Sequence, residues 1–196
     1  MTARAIRIVP SPEVGYDLVA EGLAALGLTR HDAPSSESER VPNEEIWLSS
    51  DERSAVHWIE DDLIGVSYIA VRGTDVIPLS ERIRSKLPTD DVAQLRSRAM
   101  VDRGPDALID TLYRTAVVAD SGYDPEAFSL LRWGLNDPDS LVRRVALLAI
   151  SITGWPEFTG LLDEVSANDP VDEVRDQAER VRDLLQSSTG NGGVSQ

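Results

Sequence analysis

Two stretches of the chain decide its fold, because they repeat one short pattern. Residues 137–146 read DPDSLVRRVA and residues 169–178 read DPVDEVRDQA, with Asp, Pro, Val, Arg and Ala at the same offsets. A weaker copy, DDVAQLRSRA, occupies residues 90–99. A repeated pattern of this kind predicts helical units that stack and share one continuous core.

Apolar residues at helical spacing surround these stretches. Six segments carry an apolar stripe of period 3.6 and are predicted to be helices: 91–103, 106–119, 126–136, 140–152, 157–167 and 171–186. We expect Asp137 and Asp169 to cap the helix that follows each of them, with Pro138 and Pro170 in its first turn. Alanine at the end of the pattern allows a neighbouring helix to approach closely.

The pattern D-P-x-x-x-V-R-x-x-A, with an apolar helix on each side, resembles the HEAT-repeat family of helical hairpins. The resemblance covers roughly residues 88–186. In this family the Asp and Arg of the motif commonly form a ladder between adjacent repeats, so the resemblance implies a structural role for six residues. They are Asp90, Arg96, Asp137, Arg143, Asp169 and Arg175.

The first part of the chain follows a different pattern. Residues 4–9 (RAIRIV) alternate as in a strand, and a helix is predicted from Pro12, with Ser11 as its N-cap, to about Gly27. Residues 32–45 are Ser- and Pro-rich and are predicted to be a loop. Residues 46–48, 55–60 and 64–72 are rich in β-branched and aromatic residues between turn residues, which predicts three antiparallel strands.

The predicted fold is therefore α+β. A small β-α-β-β-β sheet unit is expected over residues 1–77 and HEAT-like α-helical repeats over residues 78–186. Residues 187–196 are expected to be a disordered tail.

Composition limits the classes of function. The 196 residues carry 34 Asp and Glu against 19 Lys and Arg, a formal net charge of −15 that repels phosphate backbones and predicts no direct nucleic-acid binding. There is no cysteine, which excludes disulfides, thiolate metal sites and a cysteine nucleophile. The longest apolar stretch is far shorter than the ~20 residues that span a bilayer, and the N-terminus lacks the pattern of a signal peptide. We therefore expect a cytoplasmic protein without a membrane partner, and one lysine against 18 arginines is typical of GC-rich, bacterial coding.

Motifs for catalysis or cofactor binding are missing from the sequence. His31 and His57 do not have metal-ligand spacing, and no P-loop, G-x-G-x-x-G or G-x-S-x-G motif occurs. A lone strand histidine such as His57 is more often a partly buried polar residue than a catalyst. We predict no catalytic, cofactor-binding or metal-binding residues. Four tryptophans are predicted to pack in the core: Trp47, Trp58, Trp133 and Trp155. Any of them that is exposed would instead mark a partner-binding site.

Two acidic groups are the candidate partner-binding residues. The first is the triplet Glu60, Asp61 and Asp62. The second lies on the last predicted helix, where Arg175, Arg180 and Arg182 interrupt it, and comprises Asp172, Glu173, Asp176, Glu179 and Asp183. The alternative for both groups is a solvated surface, either a hairpin turn or a helix face with mixed charges at i, i+4.

These features favour a non-enzymatic protein-interaction module that binds a basic protein partner through an acidic surface. A small acidic binder with a HEAT-like half is similar to immunity proteins that neutralise basic nuclease toxins, and a regulatory or assembly adaptor is the broader alternative. The second hypothesis is an enzyme of the helical-repeat lyase type, although no acid–base pair can be assigned from the sequence. The third is an architectural part of a larger assembly.

Overall fold

The computed structural model describes residues 5–31, 43–119 and 122–190. The chain forms two compact units, Met1–Asp91 and Val92–Gln196. Unit 1 contains a five-stranded antiparallel sheet and two helices, and unit 2 is helical. The predicted α+β class is confirmed.

Unit 1 is built on a sheet with the strand order β1-β5-β4-β3-β2. In chain order its elements are β1 (Ile6–Ile8), α1 (Tyr16–Ala25), β2 (Thr29–His31), β3 (Asn43–Leu48), β4 (Ser54–Asp61), β5 (Val66–Gly73) and α2 (Val76–Lys86). Alternate residues of the strands enter the core, as in the neighbouring pairs Val56↔Val71 and Trp58↔Ile69. Residues of α1 and α2, among them Leu23, join the same core.

Helix α2 explains why unit 1 extends beyond residue 77, the predicted boundary of the sheet unit. Its buried residues Leu79 and Ile83 belong to the core of the sheet. The polypeptide then returns to the sheet unit, where Ser11 donates its backbone N–H to the carbonyl oxygen of Pro88 over 3.0 Å. The division between the units follows at Asp91.

Three local predictions for unit 1 were wrong. Helix α1 begins at Tyr16 instead of Pro12, because residues 12–13 form a turn in which the backbone N–H of Val14 donates to the carbonyl oxygen of Ser11 over 2.9 Å. The short strand β2 was not predicted. Residues 43–45, predicted as part of a loop, open strand β3, and residues 32–42 of that loop lie outside the described part of the chain.

Unit 2 consists of helical hairpins. Its elements are α3 (Val92–Val101), α4 (Pro105–Val118), α5 (Pro125–Leu135), α6 (Ser140–Thr153), a 3-10 turn (Pro156–Phe158), α7 (Thr159–Asn168) and α8 (Asp172–Gly190). Helices α3 and α4, α5 and α6, and α7 and α8 pair as hairpins, while α4 packs on α6 and α6 on α8. All six predicted helices are present. The predicted tail begins inside α8, which continues to Gly190, and residues 191–196 lie outside the described part.

Small residues bring the two helices of the second hairpin close to each other and α5 close to α4. A Cβ atom at Gly134 on α5 would lie 2.8 Å from Cδ2 of Leu112 on α4 and 3.1 Å from Cβ of Ala146 on α6. A side chain at Gly134 would therefore press on the end of the buried Leu112 side chain, and Ala146 supplies the close approach expected of the last position of the repeated pattern.

The predicted helix caps need correction. The side chain of Asp139, and not that of Asp137, caps α6 by accepting the backbone N–H of Leu141 over 2.8 Å. Asp137 instead accepts the N–H of Asp139 over 2.9 Å, and Asp169 accepts the N–H of Val171 over the same distance. The repeated aspartates therefore form Asx turns before α6 and α8, and Pro138 and Pro170 lie in those turns instead of in the helices.

Candidate functional site

The repeated Asp and Arg meet between the second and third hairpins. Arg143 on α6 donates from Nε to Oδ2 of Asp169 over 2.8 Å and from Nη2 to Oδ1 over 2.9 Å. Its Nη1 donates to the carbonyl oxygens of Asp137 and Pro138 over 2.9 and 3.1 Å. The Arg143 and Asp169 side chains are only 9% and 6% exposed, so this bidentate pair is shielded from water. The ladder implied by the family resemblance is present here.

This arrangement holds both groups in their charged forms. Burial on its own would raise the pKa of Asp169, but hydrogen bonds from Arg143 and the Val171 N–H, with the charges of Arg143 and Arg175, hold it below its usual value. The hydrogen bond to Asp169 likewise raises the pKa of Arg143, although burial opposes this shift. Both groups therefore stay charged at neutral pH, and the pair joins two helical hairpins instead of transferring protons.

The other ladder residues take unequal places. Arg175 donates from Nη1 to the carbonyl oxygen of Asp169 over 2.6 Å and pairs with Asp172. Asp90 is fully buried and donates its backbone N–H to the carbonyl oxygen of Val9. Arg96, in contrast, is exposed on α3. The weak copy also heads the first helix of a hairpin, while α6 and α8 are second helices. It is therefore not equivalent to the two strong copies.

Four of the predicted acidic residues form one row on α8, which we call the α8 ridge: Asp172, Asp176, Glu179 and Asp183. Their spacing of four, three and four residues places them on one helix face, and all four are exposed. The opposite face contains Val174, Ala178, Val181 and Leu185, which are buried. At 1.5 Å per residue the row is roughly 16 Å long. The fifth predicted residue, Glu173, is exposed beside the row.

Arginines neutralise the ridge only in part. Arg175 pairs with Asp172, and Arg182 donates from Nη2 to Asp183 over 2.9 Å and to Glu179 over 3.3 Å. Among the hydrogen bonds and ion pairs of the described residues, none involves the side chain of Asp176. The ridge therefore presents a free carboxylate between two partly neutralised ends.

The acidic triplet lies at the hairpin between β4 and β5. Glu60 accepts a hydrogen bond from Nδ2 of Asn43 over 2.8 Å, and Asp61 accepts the backbone N–H of Leu63 over 3.1 Å. Asp62 is exposed in the turn, and the Leu63 side chain beside it is 84% exposed. Two of the three carboxylates thus have structural hydrogen bonds, and Asp62 is the most open to a partner.

The histidine that the sequence placed in a strand has a carboxylate partner. Nδ1 of His57 on β4 lies 2.6 Å from Oε1 of Glu44 on β3. The two strands pair with Ile46 opposite His57, so the contact is diagonal across the sheet. Sequence reasoning missed this pair because it depends on strand register. His31 is exposed at the end of β2.

The tryptophans divide into three buried residues and one at a surface groove. Trp47, Trp58 and Trp155 are buried as predicted. Trp133 on α5 is half-buried, and the guanidinium carbon of Arg103 lies 5.7 Å from its ring centroid. The prediction of a core position is therefore only partly right for Trp133.

The described part of the chain lacks two other kinds of site. Within residues 5–31, 43–119 and 122–190, no three His, Cys, Asp or Glu side chains are grouped so that they could hold a metal ion. None of the helices in these ranges combines the length and apolarity that crossing a membrane requires.

Comparison with known proteins identifies the helical repeats. Residues 110–181, from α4 into α8, match the family model described as HEAT repeats. This match confirms the resemblance for these residues, and HEAT-like repeats suggest a protein-interaction module. No curated protein sequence and no solved structure matches the chain.

Proposed function

Since residues 110–181 match HEAT repeats, we propose that this protein is a non-enzymatic interaction module that binds a basic protein partner through an acidic surface. The α8 ridge of unit 2 is that surface, and the β4–β5 triplet of unit 1 is a separate acidic candidate. The observation that carries the proposal is the row of four exposed carboxylates on a helix whose opposite face is buried.

Repulsion between ridge carboxylates costs the helix some stability, although Asp172, in the first turn, is favourable at the helix N-terminus. Asp172 and Asp176, like Glu179 and Asp183, are like charges at i, i+4, and each such pair destabilises a helix by about 0.2–0.5 kcal/mol. Arg175 and Arg182 offset part of this repulsion through their ion pairs with Asp172 and Asp183. A basic partner would offset the rest, and the local negative charge of the ridge would steer that partner into contact.

We propose two specific forms of this interaction module. A toxin-neutralising immunity protein is one member of the class, because a basic nuclease presents the cationic surface that the ridge would complement. A regulatory or assembly adaptor is the broader member. The identity of the captured partner distinguishes the two.

The enzyme alternative centres on the pair of His57 and Glu44, the imidazole and carboxylate in hydrogen-bonding distance. The His57 side chain is only 11% exposed within the sheet, which supports a structural role. A His57→Asn variant should therefore capture the same partner as the wild type.

Affinity capture from the host lysate, with nuclease treatment, tests the proposal. The ridge variant carries Asp172→Asn, Asp176→Asn, Glu179→Gln and Asp183→Asn. The matched control neutralises four exposed carboxylates elsewhere, with Asp17→Asn, Glu21→Gln, Glu81→Gln and Asp106→Asn. Both variants lose four negative charges and change the net charge from −15 to −11, so the comparison isolates position from total charge.

We expect the wild type and the control to retain one basic protein and the ridge variant to lose it. A third variant with Glu60→Gln, Asp61→Asn and Asp62→Asn measures the contribution of the triplet. Retention of the same protein by the ridge variant, or capture of acidic proteins only, would contradict the proposal.

A further inference from the structure

A groove between α3 and α5 has the opposite character to the α8 ridge. It encloses about 250 Å³ within unit 2 and is lined by Arg96, Met100, Arg103, Ser129, Leu130 and Trp133. Met100 is 63% exposed, and its neighbour Val101 is 89% exposed. An apolar groove with a few polar groups at its rim is the usual form of a recognition site.

Two arginines give the groove a local positive charge. The guanidinium of Arg103 lies over the Trp133 ring at 5.7 Å, within the range of a cation–π contact. Neither Arg96 nor Arg103 forms an ion pair with any other residue that the structure describes, although the chain has 34 carboxylates. Folding has thus left both guanidinium groups without carboxylates in a strongly acidic protein.

We infer that this groove binds an acidic peptide segment of a protein partner, with one aromatic or aliphatic side chain as its anchor. The anchor would enter between Met100 and Trp133, because a thioether adapts to varied shapes and tryptophan is a frequent binding hot spot. Carboxylates on either side of the anchor would pair with Arg96 and Arg103, whose planar guanidinium groups suit carboxylate geometry. This surface is distinct from the α8 ridge and does not depend on it.

Charge favours a peptide over a nucleic acid as the occupant. A peptide needs only two or three carboxylates, all within reach of the two arginines. A nucleic acid carries one charge per phosphate along its whole length, and this chain, with a net charge of −15, would repel it.

Titration of the isotope-labelled full chain with unlabelled peptides tests the inference by NMR. The probe is a peptide with one phenylalanine between aspartates, compared with a peptide in which lysines replace the aspartates and with single-stranded oligothymidine. The indole N–H signal of Trp133, assigned with a Trp133→Phe variant, reports binding in the groove, since the other three tryptophans are buried.

The groove variant is Arg96→Gln with Arg103→Gln, and its matched control is Arg53→Gln with Arg180→Gln, two exposed arginines outside the groove. A Met100→Glu variant adds a carboxylate at an exposed position and tests the groove without removing an arginine. Circular dichroism confirms that all variants are folded.

We expect the acidic peptide to shift the Trp133 signal, the groove variant and Met100→Glu to weaken binding at least tenfold, and the control to stay within twofold of the wild type. The inference is overturned if the lysine peptide or oligothymidine binds Trp133 as tightly, or if the control weakens binding as much as the groove variant. It is also overturned if millimolar acidic peptide leaves the Trp133 signal unchanged.

Discussion

Breaking the Arg143–Asp169 pair should destabilise unit 2 far more than breaking an exposed ion pair. In an Asp169→Asn variant the Arg143 side chain, 9% exposed in the wild type, loses its carboxylate partner, while its bonds to two carbonyl oxygens are expected to remain. Removing one partner of a buried pair costs about 3–5 kcal/mol of unfolding free energy. Because the carbonyl bonds persist and asparagine can still accept from the Val171 N–H, we expect the lower end, about 3 kcal/mol.

Urea unfolding followed by far-ultraviolet circular dichroism measures this loss. Asp163→Asn is the control, since Asp163 is 58% exposed and pairs with Arg182 over 3.4 Å; we expect a loss of at most about 0.5 kcal/mol.

A double-mutant cycle then isolates the interaction from the cost of each substitution. Arg143→Met leaves the Asp169 carboxylate without its bidentate donor, so this variant should also lose about 3–5 kcal/mol. The double variant Arg143→Met with Asp169→Asn should be more stable than the sum of the single losses predicts, by about 1–3 kcal/mol. The reasoning is refuted if Asp169→Asn costs no more than Asp163→Asn, or if the two single losses add.

Three further predictions concern the same helical unit. The pKa of Asp169 is lower in the folded than in the unfolded chain, so its contribution to stability is present above about pH 4 and is lost as the pH falls below that value. The unfolding free energy of Asp169→Asn should therefore fall less steeply with acidification than that of the wild type, and equal dependence on pH would contradict this. Gly134→Ala should lower the unfolding free energy by about 1 kcal/mol in urea unfolding, because overpacking against Leu112, 2.8 Å from the added Cβ, costs about 1–3 kcal/mol and the gain in helix propensity returns about 1 kcal/mol. A variant more stable than the wild type would contradict close packing at this position. Asp139→Ala should lower the unfolding free energy, measured by urea unfolding, by about 1 kcal/mol because the α6 cap is lost. An unchanged unfolding free energy would mean that Asp139 is not the group that stabilises this helix end.

Much of the helical unit was predictable from sequence because its signals are local. Apolar residues at a spacing of three and four located every helix from α3 to α8, and the identity of the two strong repeats located the Arg143–Asp169 ladder. The cap of α6 was predicted wrongly as Asp137, because the stretch Asp137, Pro138, Asp139 contains two aspartates that can each accept a backbone N–H. Only the path of the chain decides which of them lies at the helix end.

Other features could not be predicted because they depend on the tertiary fold. Strand β2 has three exposed polar residues and therefore no alternating pattern, and α2 contains Pro78 near its start, where a proline is tolerated but obscures the helix signal. The contact of His57 with Glu44 requires the register of β3 on β4. The groove at Trp133 requires the packing of α3 beside α5, which no local spacing reveals.

The association rate of the captured basic partner at two salt concentrations tests the central claim most directly. Between about 10 mM and 150 mM ionic strength the Debye length falls from ~30 Å to ~8 Å, so electrostatically steered association should slow at least tenfold for the wild type and for the matched control variant. The ridge variant, which lacks the charges of Asp172, Asp176, Glu179 and Asp183, should associate slowly at low salt and depend on salt only weakly. A wild-type rate that ignores salt, or a ridge variant that matches the control at both concentrations, would contradict the assignment of the α8 ridge as the partner-binding surface.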